Sequence, residues 1–251
     1  MIGELIKRFR PIRFLLFKLF YTNKYSESIN KFKNIKKGKT VVIVCNGPSL
    51  NKVKLEKIKY DSIGLNKIDL IFSKTNWRPN YIVSINGLVM QQNKDKFKEL
   101  KIPIFLDFKA KFMGLSGKNI YYLLSDYSRE FSENVSKKIG SAGTVTYAAI
   151  QLAVFLGYKK IMIIGMDHNF KGYDNKKSIS KIEKFEEDDL NHFDKNYFKG
   201  NFWGTPNLFI SEVGYKKARL FCEMNNILIK DLTIGGKCDV FEKGKIEDIY
   251  D

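Results

Sequence analysis

The sequence predicts an α/β domain built on a doubly wound, mainly parallel sheet, and three observations carry that expectation. Short runs rich in β-branched and apolar residues recur along the chain and alternate with helical stretches, the pattern that crossover connections leave behind. Two of the runs, Thr40-Val41-Val42-Ile43-Val44-Cys45 and Lys160-Ile161-Met162-Ile163-Ile164-Gly165, are apolar almost throughout, as strands covered on both faces are. Several runs end in Asn or Asp, which would gather polar groups beyond the strand ends.

Residues 1–39 read as a basic amphipathic segment, apart from a domain over 40–251. Ile2, Leu5, Ile6, Phe9, Ile12, Leu15, Leu16 and Leu19 recur at helical spacing among Lys7, Arg8, Arg10, Arg13 and Lys18. Pro11 kinks or restarts this helix. No apolar run approaches the roughly 20 residues that a spanning helix needs, and no small-residue cleavage site follows Phe14–Phe17. A basic helix with one apolar face suits an anionic membrane surface; it also suits packing on its own domain.

The first buried strand, 40–45, leads into Asn46-Gly47-Pro48-Ser49-Leu50, where Ser49 can cap a helix running to Ile58. Strands are expected over 61–66, 81–86, 102–107 and 119–124, with a helix near 89–100. Thr144–Leu156 reads as a strong helix closed by Gly157. After the 160–165 strand, residues 168–207 are polar and irregular, the signature of an insertion or lid. A helix over 211–224 and a short strand at 227–229 follow. This alternation is that of Rossmann-like folds, whose ligands sit beyond the carboxyl ends of the strands. Asn46, Asn66, Asn86, Asp107 and Asp167 should therefore share one rim.

Gly47 would let the backbone approach a phosphate or ribose, while Pro48 and Ser49 open the next turn, Ser49 supplying hydroxyl and amide donors. The loop is neither a Walker loop nor a GxGxxG fingerprint. Gly140-Ser141-Ala142-Gly143-Thr144 could expose amides to an anion, or simply cap the helix. The chain holds only two histidines, His168 and His192, either of which could move a proton near neutral pH. No Asp-x-Asp metal motif is evident, no metal site is expected, and Asp188-Asp189 reads as a solvated acidic face after Glu186-Glu187. Cys45, Cys222 and Cys238 fit neither a zinc motif nor a disulfide framework and point to a reducing cytoplasm.

A net charge of +17 favours anionic partners: phosphorylated substrates, anionic lipid or nucleic acid. No base-reading or stacking module is recognisable, and nucleic acid is not expected.

In their order, these segments resemble the bacterial lipooligosaccharide sialyltransferases that use CMP-activated sialic acid. They are similar, too, to the wider group of flagellin-glycosylating motility-associated factors and archaeal pterin-diphosphokinase-like (MptE-like) proteins. The residues carrying the resemblance are Asn46-Gly47-Pro48-Ser49-Leu50, the strand ending at Asn66, and Ser141-Ala142-Gly143 before a helix ending in Leu156-Gly157-Tyr158. Ile164-Gly165-Met166-Asp167 and the late His192 complete them.

The resemblance implies an inverting, metal-independent transferase with no cofactor beyond a CMP-sugar donor. Asn46, Ser49 and Asn66 would contact the cytidine nucleotide, with Gly47 and Pro48 shaping their loop. Ser141, Ala142 and Gly143 would present backbone to its ribose or phosphate, and Asp167 would bind nearby or position the site. His192 would be the general base on an acceptor hydroxyl of a surface glycan or lipid-linked acceptor, in a cytoplasmic enzyme peripheral on the inner membrane face. The sialyltransferases hold the leaving phosphate with two tyrosines after the Asp-containing strand. Here His168, Asn169 and Phe170 follow Asp167: Tyr173 could serve as one of the pair, Asn169 replaces the other, and Tyr197 or a lysine could compensate. That departure leaves open sialic acid, other CMP-activated keto sugars, a pterin-type diphosphokinase or a non-catalytic nucleotide-binding scaffold.

Overall fold

A computed structural model describes residues 10–172 and 181–251, with side chains from residue 15 onward. Helices α1 (Arg10–Phe20) and α2 (Asn23–Asn30) precede the sheet. Eight strands then build it: β1 (Thr40–Val44), β2 (Asp61–Leu65), β3 (Tyr81–Ser84), β4 (Ile104–Asp107), β5 (Ile120–Leu123), β8 (Lys160–Ile164), β11 (Leu228–Asp231) and β12 (Glu242–Lys243). Every pairing is parallel, in the order β12-β11-β8-β1-β2-β3-β4-β5. Short strands β6 (Ser125–Asp126) and β7 (Ile139–Gly140) pair with each other, and β9 (Ile182–Phe185) forms an antiparallel hairpin with β10 (Asn201–Gly204).

The continuous apolar runs follow from this placement. In β1, Val41 and Ile43 face one core and Val42 and Val44 the other, and all four are fully buried. The chain leaves β1 toward β2 on one side and returns through β8 on the other. The switch point of the sheet thus lies between β1 and β8, beneath the Asn46 loop.

The remaining helices are α3 (Gly87–Gln92), α4 (Lys94–Glu99), α5 (Lys109–Phe112), α6 (Val145–Leu156) and α7 (Leu208–Met224). Helix α6 lies close to its expected limits. Thr144 caps its start by accepting the amide of Thr146, and Gly157 ends it at φ 96°, where a Cβ would crowd the backbone of Lys37.

Two expected helices take another form. Residues 48–57 make two 3-10 turns, Pro48–Lys52 and Leu55–Lys57, with Val53 extended between them. Leu50 and Leu55 are both buried, yet five residues apart they would diverge by about 140° around an α-helix. The broken path lets both reach the sheet. Residues 87–99 split at Asn93, which ends α3, begins α4 and donates its side-chain amide to Asp69 at 2.8 Å.

The polar 181–207 stretch carries a buried aromatic knot. Phe193, Tyr197, Phe198 and Trp203 are all at most 6% exposed and join the core beneath β1 and β8.

At the N-terminus, Tyr21 donates its hydroxyl to the carbonyls of Tyr122 and Ser136, and Ile29 is fully buried. Phe17 stacks on Phe112, while Leu15, Leu16, Leu19 and Phe20 are each about half or more exposed. No helix among the described residues is long and apolar enough to cross a membrane.

Candidate active site

A cavity of about 360 Å³ opens above the switch point. The strand-end residues form its floor. Asn46, directly after β1, donates its side-chain amide to the carbonyl of Leu65 at 2.8 Å and to the Tyr197 hydroxyl at 3.0 Å. A carbonyl needs a donor, so the Leu65 bond fixes which end is the amide nitrogen. Asn46 Oδ1 is left buried without a partner among the described residues. Asn66, after β2, sits in the left-handed region at φ 49°, a conformation asparagine tolerates, and its Oδ1 accepts the Ser84 hydroxyl at 3.0 Å. Asn86 also lines the cavity and caps α3.

Gly47 is required by close approach. A Cβ there would overlap the Asp167 carboxylate and lie 2.7 Å from the Gly165 carbonyl. Asp167 reaches across from the end of β8 and accepts from the Ser49 hydroxyl at 2.6 Å and the Ser49 amide at 3.1 Å. Ser49 therefore does not cap an α-helix as its sequence position suggested. Its donors hold a carboxylate of the protein itself.

The far wall comes from the 189–205 segment. His192 Nδ1 lies 2.8 Å from Asp189 Oδ2, and the Asp189 side chain is 1% exposed. Asp189 is thus no solvated acidic face: its Oδ1 also accepts the Asn191 amide, and its own amide donates to the Lys195 carbonyl. The imidazole stacks on Tyr197 with centroids 4.1 Å apart and planes within 8°. Tyr197 in turn holds Asn46, and the amide of Phe193 donates to the Asn46 carbonyl at 2.9 Å. The histidine is thereby locked to the first strand-end loop. Asp189 occupies Nδ1 and leaves Nε2 for a reacting group.

Beneath this wall, Lys67 donates its ammonium to the Tyr197 carbonyl at 2.8 Å and lies 4.8 Å from the Phe198 ring centre. Burial pushes its pKa down to about 8, against the pull of Asp69 and Asp189. Burial likewise pushes the Tyr197 phenol well above its ordinary range, so it stays neutral and bonds as a hydroxyl.

Of the residues singled out from the sequence, Asn46, Gly47, Asn66, Ser141, Gly143, Asp167 and His192 line the cavity. Pro48 and Ser49 border a neighbouring hollow of about 260 Å³, which meets the first at Asp167. Ala142 is fully buried below the loop. Tyr173 lies outside the described residues, and Asp107 is buried away from the cavity, accepting the Lys109 amide. Sequence reasoning missed Asp189, Asn191 and Tyr215. A carboxylate three residues before a histidine was the one available signal for Asp189, masked by the acidic run in front of it. Among the described residues no cluster of three or more His, Cys, Asp or Glu could hold a metal ion.

These features define a Rossmann-like domain with a polar ligand cavity at its switch point. The chain belongs to the 6-hydroxymethylpterin diphosphokinase MptE-like family, whose sequence model matches residues 16–172, more than half of the chain. Among solved structures it is similar to the MAf glycosyltransferase from Magnetospirillum magneticum AMB-1, with 12% identity and a TM-score of 0.54 over 90% of this chain. The chain spans 38% of that protein's length, and at this identity the likeness speaks for the fold alone. A second structure is the sialyltransferase CstII from Campylobacter jejuni in complex with a substrate analogue, cytidine-5'-monophosphate. It shows 17% identity over 82% of this chain and 85% of that one, at a TM-score of 0.45. No curated protein matches the chain.

Proposed function

We propose that the protein is an inverting, metal-independent glycosyltransferase. It moves a keto sugar, sialic acid or a relative, from its CMP-activated form to a hydroxyl of a surface glycan or lipid-linked acceptor. The observation that carries this reading is the Asp189–His192 pair on a cavity that also gathers Asn46, Asn66, Ser141, Gly143 and Asp167. Asp189 holds the imidazole with its proton on Nδ1, so that Nε2 can accept a proton. An acceptor hydroxyl gives that proton to Nε2 as its oxygen bonds to the anomeric carbon. The bond from that carbon to the phosphate oxygen breaks on the opposite face, and CMP leaves with the electron pair. Asn46 Oδ1 is an acceptor awaiting a ligand N–H or O–H, which a cytosine amine or ribose hydroxyl supplies. The exposed Leu15, Leu16, Leu19 and Phe20 beside basic residues suit a surface that meets anionic lipid, where a lipid-linked acceptor would be found.

The family match supports a second reading, a diphosphokinase using ATP, a divalent metal and a pterin. A thermal-shift series separates the two. A ligand that binds only the folded state adds about 2.7 kcal/mol at 100 times its dissociation constant. Stabilisation by CMP that persists in EDTA, followed by CMP release from a CMP-keto sugar, is the expected result. Stabilisation only by ATP with magnesium, or no nucleotide response, would overturn the glycosyltransferase reading.

A further inference from the structure

We infer that His168, held by Glu212, is the phosphate subsite of this cavity; this rests on the nucleotide reading above. The chain carries 44 lysines and arginines but only two histidines. Yet no lysine or arginine lines the cavity among the described residues, whereas both histidines do. In a strongly basic protein the cationisable side chains on the described cavity wall are therefore imidazoles. His192 is committed through Asp189 to taking up a proton, and His168 remains for the phosphate.

The geometry around His168 suits that task. Its side chain is 6% exposed, and Nε2 lies 3.1 Å from Glu212 Oε1 on α7. No described residue bonds Nδ1. A protonated ring would give one N–H to Glu212 and the other to a phosphate oxygen. The backbone at His168 is left-handed, φ 53°, directly after the Gly165 turn at φ 69°. Donation from the Lys237 amide to the Asp167 carbonyl braces that conformation.

A second anion-attracting element stands beside it. Tyr215 lies 5.8 Å from the His168 ring, and its hydroxyl is 3.2 Å from Thr144 Oγ1, the residue that caps α6. The amino end of α6, at Val145 and Thr146, lines the same cavity and adds its dipole. The Asp167 carboxylate, which would repel a phosphate, is engaged by Ser49. Lys52 and Lys171 line the neighbouring hollow, which shares Asp167 with this cavity. As the bond to the sugar breaks, negative charge grows on the phosphate, and a ring already oriented by Glu212 meets it without reorganising. His168 thus supplies what the two tyrosines would supply in the resembled sialyltransferases.

The test compares binding of CMP and cytidine by calorimetry, at one pH and ionic strength, in wild type, His168→Asn and Glu212→Gln. Asparagine tolerates the left-handed backbone and removes the charge. Wild type is expected to prefer CMP by about 10- to 100-fold, the worth of a charge-assisted bond. His168→Asn should bring that preference to within a few-fold while cytidine affinity stays unchanged, and Glu212→Gln should lower it part of the way. If both variants keep the wild-type preference, the subsite assignment is overturned while the nucleotide reading stands. If wild type binds neither ligand, both fall. Glu212 is 39% exposed on a surface helix, so its variant carries the test should His168→Asn not fold.

Discussion

Replacing Asp189 by Asn tests the catalytic assignment most directly, because it changes one proton and little shape. Asp189 accepts twice: Oδ1 from the Asn191 amide at 2.9 Å and Oδ2 from His192 Nδ1 at 2.8 Å. Asparagine can keep the first bond with its oxygen, and it then offers His192 an N–H where a carboxylate stood. The ring must answer with a bare Nδ1 and carry its proton on Nε2. In that tautomer the nitrogen meant to receive the acceptor proton already holds one. The loss should approach the whole worth of a positioned base, about 10²–10⁴-fold in kcat, or about 3–5.5 kcal/mol of barrier. Donor KM should stay within a few-fold, since neither residue is asked to bind the nucleotide. CMP release from a CMP-keto sugar reads the rate. With two histidines in the chain, ¹⁵N-histidine spectra read the tautomer independently of any substrate. His192→Ala should cost as much, and the double variant little more than either single one, because the pair acts as a unit. An Asp189→Asn protein whose tautomer has switched but whose kcat stays within threefold of wild type would refute the base assignment.

Three further outcomes follow from the geometry. Gly47→Ala must push Asp167 aside or move the turn, and should cost about 1–3 kcal/mol together with the stabilisation by CMP; urea unfolding with and without CMP measures both, and an unchanged midpoint would contradict the close approach. Lys67 titrates near 8 in the fold and near 10.4 in an unfolded chain, so between those values the unfolded state holds the extra proton and wild-type stability gains as pH rises. Lys67→Met lacks that gain, and its stability relative to wild type should fall between pH 8 and 10, with a flat difference counting against the buried ammonium. Charging the exposed face of α1 with Leu16→Glu, Leu19→Glu and Phe20→Glu should lower co-sedimentation with phosphatidylserine vesicles at least tenfold at unchanged melting temperature. Equal sedimentation would remove the membrane from the proposal.

The sheet was legible because its strands are buried on both faces and declare themselves as apolar runs; β1 and β8 needed no tertiary knowledge. Helix α6 declared itself through its cap and Gly157. The 3-10 turns after Asn46 did not, because Leu50 and Leu55 read as an ordinary helical face until the sheet demands both. The rim was foreseen through Asn46, Asn66 and Asp167, since strand ends in this fold converge by topology. Asp189 was hidden for the converse reason. A carboxylate's role depends on what covers it, and the cover here is an aromatic knot closed by Trp203, fourteen residues further on, in a stretch whose average composition is polar.

The site divides along the chain at the end of the family match. The family match ends at residue 172, so it includes the strand-end asparagines, Asp167 and His168 but neither Asp189 nor His192. The matched part holds groups suited to gripping a nucleotide; the proposed base His192 and the carboxylate of Asp189 sit in the segment beyond it, tied back through Tyr197 and Phe193 to Asn46. Binding and proton transfer should then be separable in one protein. His192→Ala is expected to keep the CMP-dependent rise in melting temperature while losing CMP release. The stacking on Tyr197 supplies a route by which the halves could fail together. His192→Phe keeps a ring there and discards the base, so it should behave as the alanine variant does. A phenylalanine variant that turned over donor normally would show that the proton leaves by another route, and the 189–205 wall would then be a support for the nucleotide floor.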